Sequence, residues 1–406
     1  MFDMDQDWTE IIFDKEFTEE LQTALQNNEQ GQAAQLALKR LEKLSSLPLN
    51  IAITGVSGSG KSTLVNALRG IKNKTEGAAP TGAVETTTEP TEYPHPQNPN
   101  IRISDLPGVG TTQFKADVYL QRVGFEKYDF FIIVSSDRFR ENDAKLAQEI
   151  MKMNKKFYFV RSKIDHSVQD EREDDPNFNE EALLKTIRDN CIKELTDLGM
   201  ESPKIFLVSG HKLHLYEFEA LWKTLEKELP QHQRDMLLLA LPNISLNIIK
   251  QKKETLGSQI KWFALASAVG AAVPVPGISE ALDVSMILRF AIECVGSLGL
   301  TLESLQKLSE VSGVSLEELM AEIKSPLASQ EKLTIGLILK VLSMSATHVT
   351  AAALEEGTRF IPFLGIPFAM GLSTFTTYKA LNYILNALAV DAQRVFMKAL
   401  RLDTVV

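Results

Sequence analysis

The sequence runs to 406 residues, with 43 Lys and Arg against 53 Asp and Glu, a formal net charge of −10 and a hydrophobic fraction of 44%. That length fits two or three domains with a real core, and a charged fraction of 24% is too moderate for a disordered chain. The acidic balance argues against broad nucleic-acid binding, which needs a basic face to displace phosphate counterions, and the two cysteines, Cys191 and Cys294, cannot staple a scaffold of this size, so a reducing, cytosolic compartment is expected.

The opening MFDMDQDWTE is acidic. It has neither the basic and apolar regions of a signal peptide nor the Met-Gly start that N-myristoylation needs. Residues 16–46 read as helix, with Phe17, Leu21, Ala24 and Leu25 at helical spacing, then Ala34, Leu36, Leu38, Leu41 and Leu44 after a break at Gly31. From 49 to 229 short apolar runs (LNIAIT, NIRISDL, YDFFIIVSS, KFYFVRS, KIFLVS) alternate with helical candidates at 61–69, 140–153, 178–198 and 216–228. Strands apolar on both faces, interleaved with helices, predict a mostly parallel α/β sheet.

After Pro230 the strand-like runs stop and Leu/Ala/Met-rich helical text continues. The expected domains are therefore 1–47, an N-terminal helical segment; 48–230, the α/β domain; and 231–406, a helical domain. Two charge-free stretches, Trp262–Ser279 and Phe360–Tyr378, approach spanning length. Pro274, Pro276 and Gly277 interrupt the first, and Pro362, Gly365 and Pro367 the second, so helix–turn–helix pairs in a packed bundle are expected.

GVSGSGKS, Gly55–Ser62, follows a strand and precedes the helix-like STLVNALRG. In that context the glycines Gly55, Gly58 and Gly60, with Ser59 between the last two, let backbone N–H groups turn inward around phosphate oxygens. Lys61 then reaches the β and γ phosphates, Ser62 ligates Mg²⁺, and Thr63 continues the first helical turn. Asp105 ends the strand IRISD and opens DLPGVG; a carboxylate there holds Mg²⁺, usually through water, and the N–H of Gly108 can meet the γ-phosphate. SKID, Ser162–Asp165, follows a third strand. A carboxylate at Asp165 can accept from both the ring N–H and the amine of guanine, a donor pair that adenine lacks, while the Lys163 stem lies over the ring; this specifies GTP. His166 is counted with these contacts, and Ser209, closing KIFLVS before Gly210, is the expected place for a backbone contact to the guanine carbonyl.

These elements resemble the translation-factor and Ras type of G domain. EGAAPTGAVETT, TEYPHPQNPN, DLPGVGTTQF, YDFFIIVSSDRFRENDAKLA and KFYFVRSKID, with LPNI at Leu241–Ile244 and KSP at Lys324–Pro326, narrow the likeness to the immunity-related, interferon-inducible GTPase family in its G-K-S form. The resemblance implies an α/β P-loop, Ras-like G domain with a mostly parallel sheet beside N- and C-terminal all-helical structure. It also implies Mg²⁺ with GTP as substrate, homodimers or oligomers formed through the G domain, peripheral contact with intracellular membranes, a role in cell-autonomous innate immunity, and no nucleic-acid partner.

Ras-type enzymes place a water-orienting glutamine directly after the D-x-x-G glycine. This sequence has Val109 there, an aliphatic side chain that cannot hold water by hydrogen bonds, so the isolated monomer is expected to be slow. The family likeness makes Glu85 the candidate catalytic residue, positioning water when two molecules meet across their nucleotide faces; the plainer reading is a solvated loop glutamate. It also puts Thr81 and Gly82 on the γ-phosphate side, with Thr81 a metal-ligand candidate beside Ser62 and Asp105, and Thr86 or Thr87 as alternatives. Arg138 serves either the facing nucleotide, that interface, or only the surface. His211 and His214 lack a second ligand pair for zinc, His95 between two prolines reads as an exposed turn residue, DEREDD (Asp170–Asp175) as a solvated loop, and Cys191 as a small core residue. A switch GTPase needing a separate activator and a nucleotide-stabilised scaffold with negligible turnover are the alternatives to a self-assembling, dynamin-like GTPase.

Overall fold

The computed structural model describes residues 20, 23–24, 27, 29–46, 48–82, 89–108, 116–175, 177–267, 278–325 and 372–401. The chain divides into two compact units, one of Pro48–Leu229 with Ala240–Ser245, the other drawn from Met1–Leu47, Pro230–Leu239 and Leu246–Val406.

The first unit is built on six strands: β1 (Leu49–Gly55), β2 (Thr91–Pro94), β3 (Ile101–Asp105), β4 (Phe130–Ser135), β5 (Lys156–Arg161) and β6 (Ile205–Leu207). Their order is β2-β3-β1-β4-β5-β6. All neighbours are parallel except the β2–β3 pair. The five apolar runs read from the sequence are strands; β2 is the addition, a short exposed edge strand.

β4 is buried along its whole length and contributes to both sides of the sheet. Phe131 and Ile133 join a core with Phe159, Leu146, Ile150 and Leu195. Phe130, one residue along, faces the other way and meets Tyr158 edge-on at 5.9 Å between centroids.

The helices of this unit are α2 (Lys61–Leu68), α3 (Ala116–Val123), α4 (Glu141–Lys152), α5 (Ile164–Asp174), α6 (Glu180–Asp197) and α7 (Phe218–Glu228). α5 corrects the loop expected at 170–175: most of DEREDD is the last turn of a helix. Only Ile164 and Val168 of α5 are buried, one helical turn apart, so the charged remainder faces water as helix. His95, expected to be exposed, is 3% exposed: its backbone N–H bonds Ile101 O at 2.8 Å, and its Nδ1 accepts from Gln97 N–H at 3.3 Å. Cys191 is buried in the α6 face, where burial lifts its thiol to about 11 despite the nearby Arg161.

The second unit contains α1 (Gln30–Ser46), α8 (Gln231–Ala240), α9 (Leu246–Ser267), α10 (Ile278–Ser297), α11 (Leu302–Ser312), α12 (Leu316–Ala321) and α13 (Leu372–Ala399). Gly31 lies in the first turn of α1, where glycine costs little, and is not a break there. Ala33, Ala37 and Leu41 of α1 share one core with Leu256, Ile260 and Phe263 of α9, Phe290 of α10 and Ile384 and Leu388 of α13.

Ser285–Ser312, 28 residues with an 18-residue window of mean hydropathy 1.5, is long and apolar enough to cross a membrane by length and composition. α10 nevertheless ends inside it: Leu298 N–H bonds Cys294 O at 2.9 Å, Gly299 turns left-handed, and Thr301 caps α11. Lys252 of α9 is 1% exposed and donates to the carbonyl of Ser297, the last residue of α10, at 2.6 Å. That places a cation at the negative helix end, yet burial pushes its ammonium down to about 7. Asp391 of α13 accepts from the N–H groups of Lys324 and Ser325 at 3.0 and 2.9 Å, which anchors the first part of the KSP sequence. The Pro-Gly bends at 274–277 and 362–365 lie outside the described residues.

Candidate functional site

β1 pairs with β3 on one side and β4 on the other, so the connections that leave β1 and β3 run in opposite directions across the sheet and a crevice opens at their carboxyl ends. The register aligns Ile53 with Asp105, Gly55 with Val134, and Arg161 with both Ser135 and Leu207. The phosphate-loop, D-x-x-G, SKID and Ser-Gly segments therefore emerge at one edge of the sheet.

The phosphate loop fits only as glycine at its start. Gly55 has φ +134°, and a Cβ there would lie 2.0 Å from the Val134 carbonyl oxygen. Gly60, at φ +87°, caps α2 and turns the chain so that Lys61 begins the helix. Lys61 is buried, and its Nζ donates to Gly55 O at 3.2 Å and Val56 O at 3.1 Å. The ammonium is thus folded over the loop that would take a phosphate, beside the positive end of α2. Ser59 Oγ is buried and has no hydrogen bond.

Ser62 Oγ donates to Asp105 Oδ2 at 2.5 Å, and Asp105 is fully buried. Two hard oxygen donors meet here, one hydroxyl and one carboxylate, and a small divalent cation that keeps most of its ligands as water and phosphate suits that set. The residues thus fit Mg²⁺, held by Ser62 directly and by Asp105 directly or through water; it would neutralise charge on the phosphates when bound. Among the described residues no group of three or more His, Cys, Asp and Glu side chains could hold another metal.

The base side is tied to the phosphate side. Ser162 Oγ donates to Ser59 O at 2.6 Å, and Lys163 Nζ donates to Gly58 O at 2.8 Å. Lys163 takes a left-handed conformation, φ +56°, at the cap of α5, which puts Asp165 in the first turn. Asp165 Oδ1 is buried without a hydrogen-bond partner, an acceptor waiting for a donor. His166 is exposed. Ser209 is buried, and its Oγ accepts from His211 N–H at 3.3 Å and Lys212 N–H at 3.1 Å. A Cβ on Gly210 would stand 3.1 Å from Thr63 Cγ2, so the loop after β6 rests on the first turn of α2.

Thr81 and Gly82 are held indirectly. Asn66 of α2 is buried; its amide oxygen accepts from Ala79 N–H at 2.7 Å and its amide nitrogen donates to Ala79 O at 2.9 Å, two residues before Thr81. Arg69 donates to Gly77 O at 2.9 Å and to Pro94 O at 3.0 Å, bracketing the segment from both ends. Glu85, Thr86, Thr87 and Val109 lie outside the described residues. Arg138 is exposed, and its carbonyl accepts from Ser135 Oγ at 2.6 Å.

Sequence reasoning missed Asn66, Arg69, Tyr119 and Asp143. Asn66 carried a signal, a polar residue inside the buried run LVNAL. Asp143 is 0% exposed in the first turn of α4; Oδ2 accepts from Arg140 N–H at 2.9 Å, and Oδ1 has no hydrogen bond. Burial lifts its carboxyl to about 6, against the Arg140 N–H bond and the positive charges of Arg140 and Lys61.

The model of the interferon-inducible GTPase family matches residues 14–399. The chain belongs to this family. It is 42% identical over 396 residues to interferon-inducible GTPase 5 of Rattus norvegicus, covering 97% of this chain and 85% of that protein. Interferon-gamma-inducible GTPase 10 of Mus musculus is 36% identical over 389 residues, 95% of this chain and 90% of that protein. As an interferon-inducible GTPase the chain hydrolyses GTP to GDP and phosphate on a P-loop G domain, and the crevice at the end of β1 is where its motifs for that chemistry converge.

Proposed function

We propose that this GTPase self-associates through its nucleotide face, uses that contact to complete hydrolysis, and acts at intracellular membranes in cell-autonomous innate immunity. The observation that carries the proposal is a mismatch between the crevice and the sequence that follows Gly108. Groups suited to binding are assembled in the crevice: Lys61 over the phosphate loop, the Ser62–Asp105 pair for Mg²⁺, and the open acceptor of Asp165. The position that orients water in Ras-type enzymes is Val109, which can do no such work. Glu85, brought into place by a second molecule, supplies the missing water-positioning group, with Arg138 at the contact.

The names of its relatives, interferon-inducible and interferon-gamma-inducible, support the immune role. The charge-free stretches Trp262–Ser279 and Phe360–Tyr378 support peripheral membrane contact from the cytoplasm, through Val275, Ile278, Phe363, Leu364 and Ile366 at their bends. The test is GTP turnover per molecule across a protein concentration series, with and without lipid vesicles, for the native chain and for Glu85→Ala. Turnover per molecule should rise with concentration, and Glu85→Ala should keep nucleotide affinity while losing turnover, because only transition-state positioning is removed. A specific activity independent of concentration would remove self-association from the mechanism, and an active Glu85→Ala would hand the role to another residue.

A further inference from the structure

Tyr119 of α3 was singled out by no motif, yet its hydroxyl stands between two parts of the nucleotide crevice. It is 2.9 Å from Thr54 Oγ1 and donates to the Pro107 carbonyl at 2.9 Å. A phenol carries one proton, and a carbonyl can only accept. Thr54 is therefore the donor in the first bond, and the order runs from Thr54 Oγ–H to Tyr119 Oη–H to Pro107 O. Burial raises the phenol well above its ordinary range, so it keeps that proton throughout the working pH range.

Both ends of this chain matter. Thr54 is fully buried in β1, directly before Gly55. Pro107 sits two residues after Asp105, and its carbonyl belongs to the same peptide group as the N–H of Gly108. That group is planar and trans, so its C=O and N–H point in opposite directions and cannot turn independently. A donor that pins the Pro107 oxygen therefore also fixes the direction of the Gly108 N–H, measured from the strand that carries the phosphate loop.

We infer that Tyr119 is a positioning residue for the triphosphate: by holding the Pro107 carbonyl to Thr54 it aims the Gly108 N–H at the γ-phosphate and so sets how much the γ-phosphate adds to nucleotide affinity. The inference rests on reading Gly108 as a γ-phosphate contact. GDP has no γ-phosphate, so the consequence is confined to the triphosphate state. The Tyr119 ring packs against the sheet-core cluster that includes Leu120, Tyr128 and Phe131, and Tyr119→Phe keeps that packing while deleting the hydroxyl.

The test measures affinities for GDP and for a non-hydrolysable GTP analogue, together with kcat and KM, in full-length Tyr119→Phe, Thr54→Val and Gly108→Pro. Tyr119→Phe should leave GDP affinity unchanged while lowering the triphosphate-to-diphosphate affinity ratio and kcat by about 2- to 13-fold each, the net size of one hydrogen bond, and should lower the melting temperature by a few degrees because the buried Thr54 hydroxyl loses its acceptor. Thr54→Val should act in the same direction and less strongly, since Tyr119 can still donate to Pro107. Gly108→Pro deletes the N–H itself and isolates the premise. If it leaves the ratio unchanged, Gly108 is not the γ-phosphate contact. If it lowers the ratio and Tyr119→Phe does not, the positioning role is overturned. Equal losses of GDP and triphosphate affinity in Tyr119→Phe would make Tyr119 a structural residue only and overturn it as well.

Discussion

Asp165→Asn should move base preference from guanosine to xanthosine triphosphate. The carboxylate of Asp165 offers acceptors to the ring N–H and the amine of guanine; an asparagine amide keeps one acceptor but presents a donor to the amine. Two charge-assisted hydrogen bonds at about 1.5–3 kcal/mol each make the expected loss of GTP affinity roughly 10²- to 10⁴-fold. Xanthine carries a carbonyl where guanine carries the amine, so the new donor finds an acceptor and affinity returns. Asp165 Oδ1 is buried without a partner in the folded chain, so the substitution breaks no bond at that atom. Calorimetric titration with both nucleotides checks it, and full retention of GTP affinity would mean that SKID does not read the base.

Lys61→Ala should weaken every nucleotide, and GTP most. The ammonium is the buried cation of the phosphate loop, bonded at 3.2 and 3.1 Å to the carbonyls of Gly55 and Val56. Its removal takes a point charge from the β and γ phosphates, worth about 2–4 kcal/mol or roughly 30- to 1,000-fold in affinity. GDP keeps the β-phosphate contact with Lys61 and loses affinity as well, by less than GTP. The pattern differs from that of Asp165→Asn, which changes the base preferred and leaves phosphate recognition intact. An unchanged GTP affinity in a folded Lys61→Ala protein would contradict the role.

Much of this architecture is legible in the sequence for one physical reason. Strands covered on both faces must be apolar throughout, and β1, β4 and β5 show it as continuous runs. β2 hides because it is four residues ending in proline, three of them exposed, held as a strand only by pairing with β3. α5 hides because just two of its side chains are buried, so charge dominates its text. His95 sits between prolines as turn residues do, and its burial comes from tertiary contacts that no local pattern records.

The same division runs through the crevice. Lys61, Ser62, Asp105 and Asp165 are legible because phosphate, metal and base chemistry demand those side chains at those places relative to a strand end. Asn66, Arg69, Tyr119 and Asp143 act on backbone or from beneath the site, through bonds to Ala79, Gly77, Pro107 and Arg140. Nothing in the spacing of the motifs requires them; Asp143 meets Arg140 within the first turn of α4, and only the folded chain brings the other three to their partners.

The most direct measurement is a crystal structure of the full chain with Mg²⁺ and a non-hydrolysable GTP analogue. In that complex Lys61 Nζ should leave the carbonyls of Gly55 and Val56 for the β and γ phosphates, and Ser62 Oγ and Asp105 Oδ2, now 2.5 Å apart, should separate around the metal. Asp165 should accept from the guanine ring N–H and amine. A nucleotide bound elsewhere, or one bound in this crevice while Lys61 stays on its own loop and Asp165 makes no contact with the base, would contradict this assignment of the site.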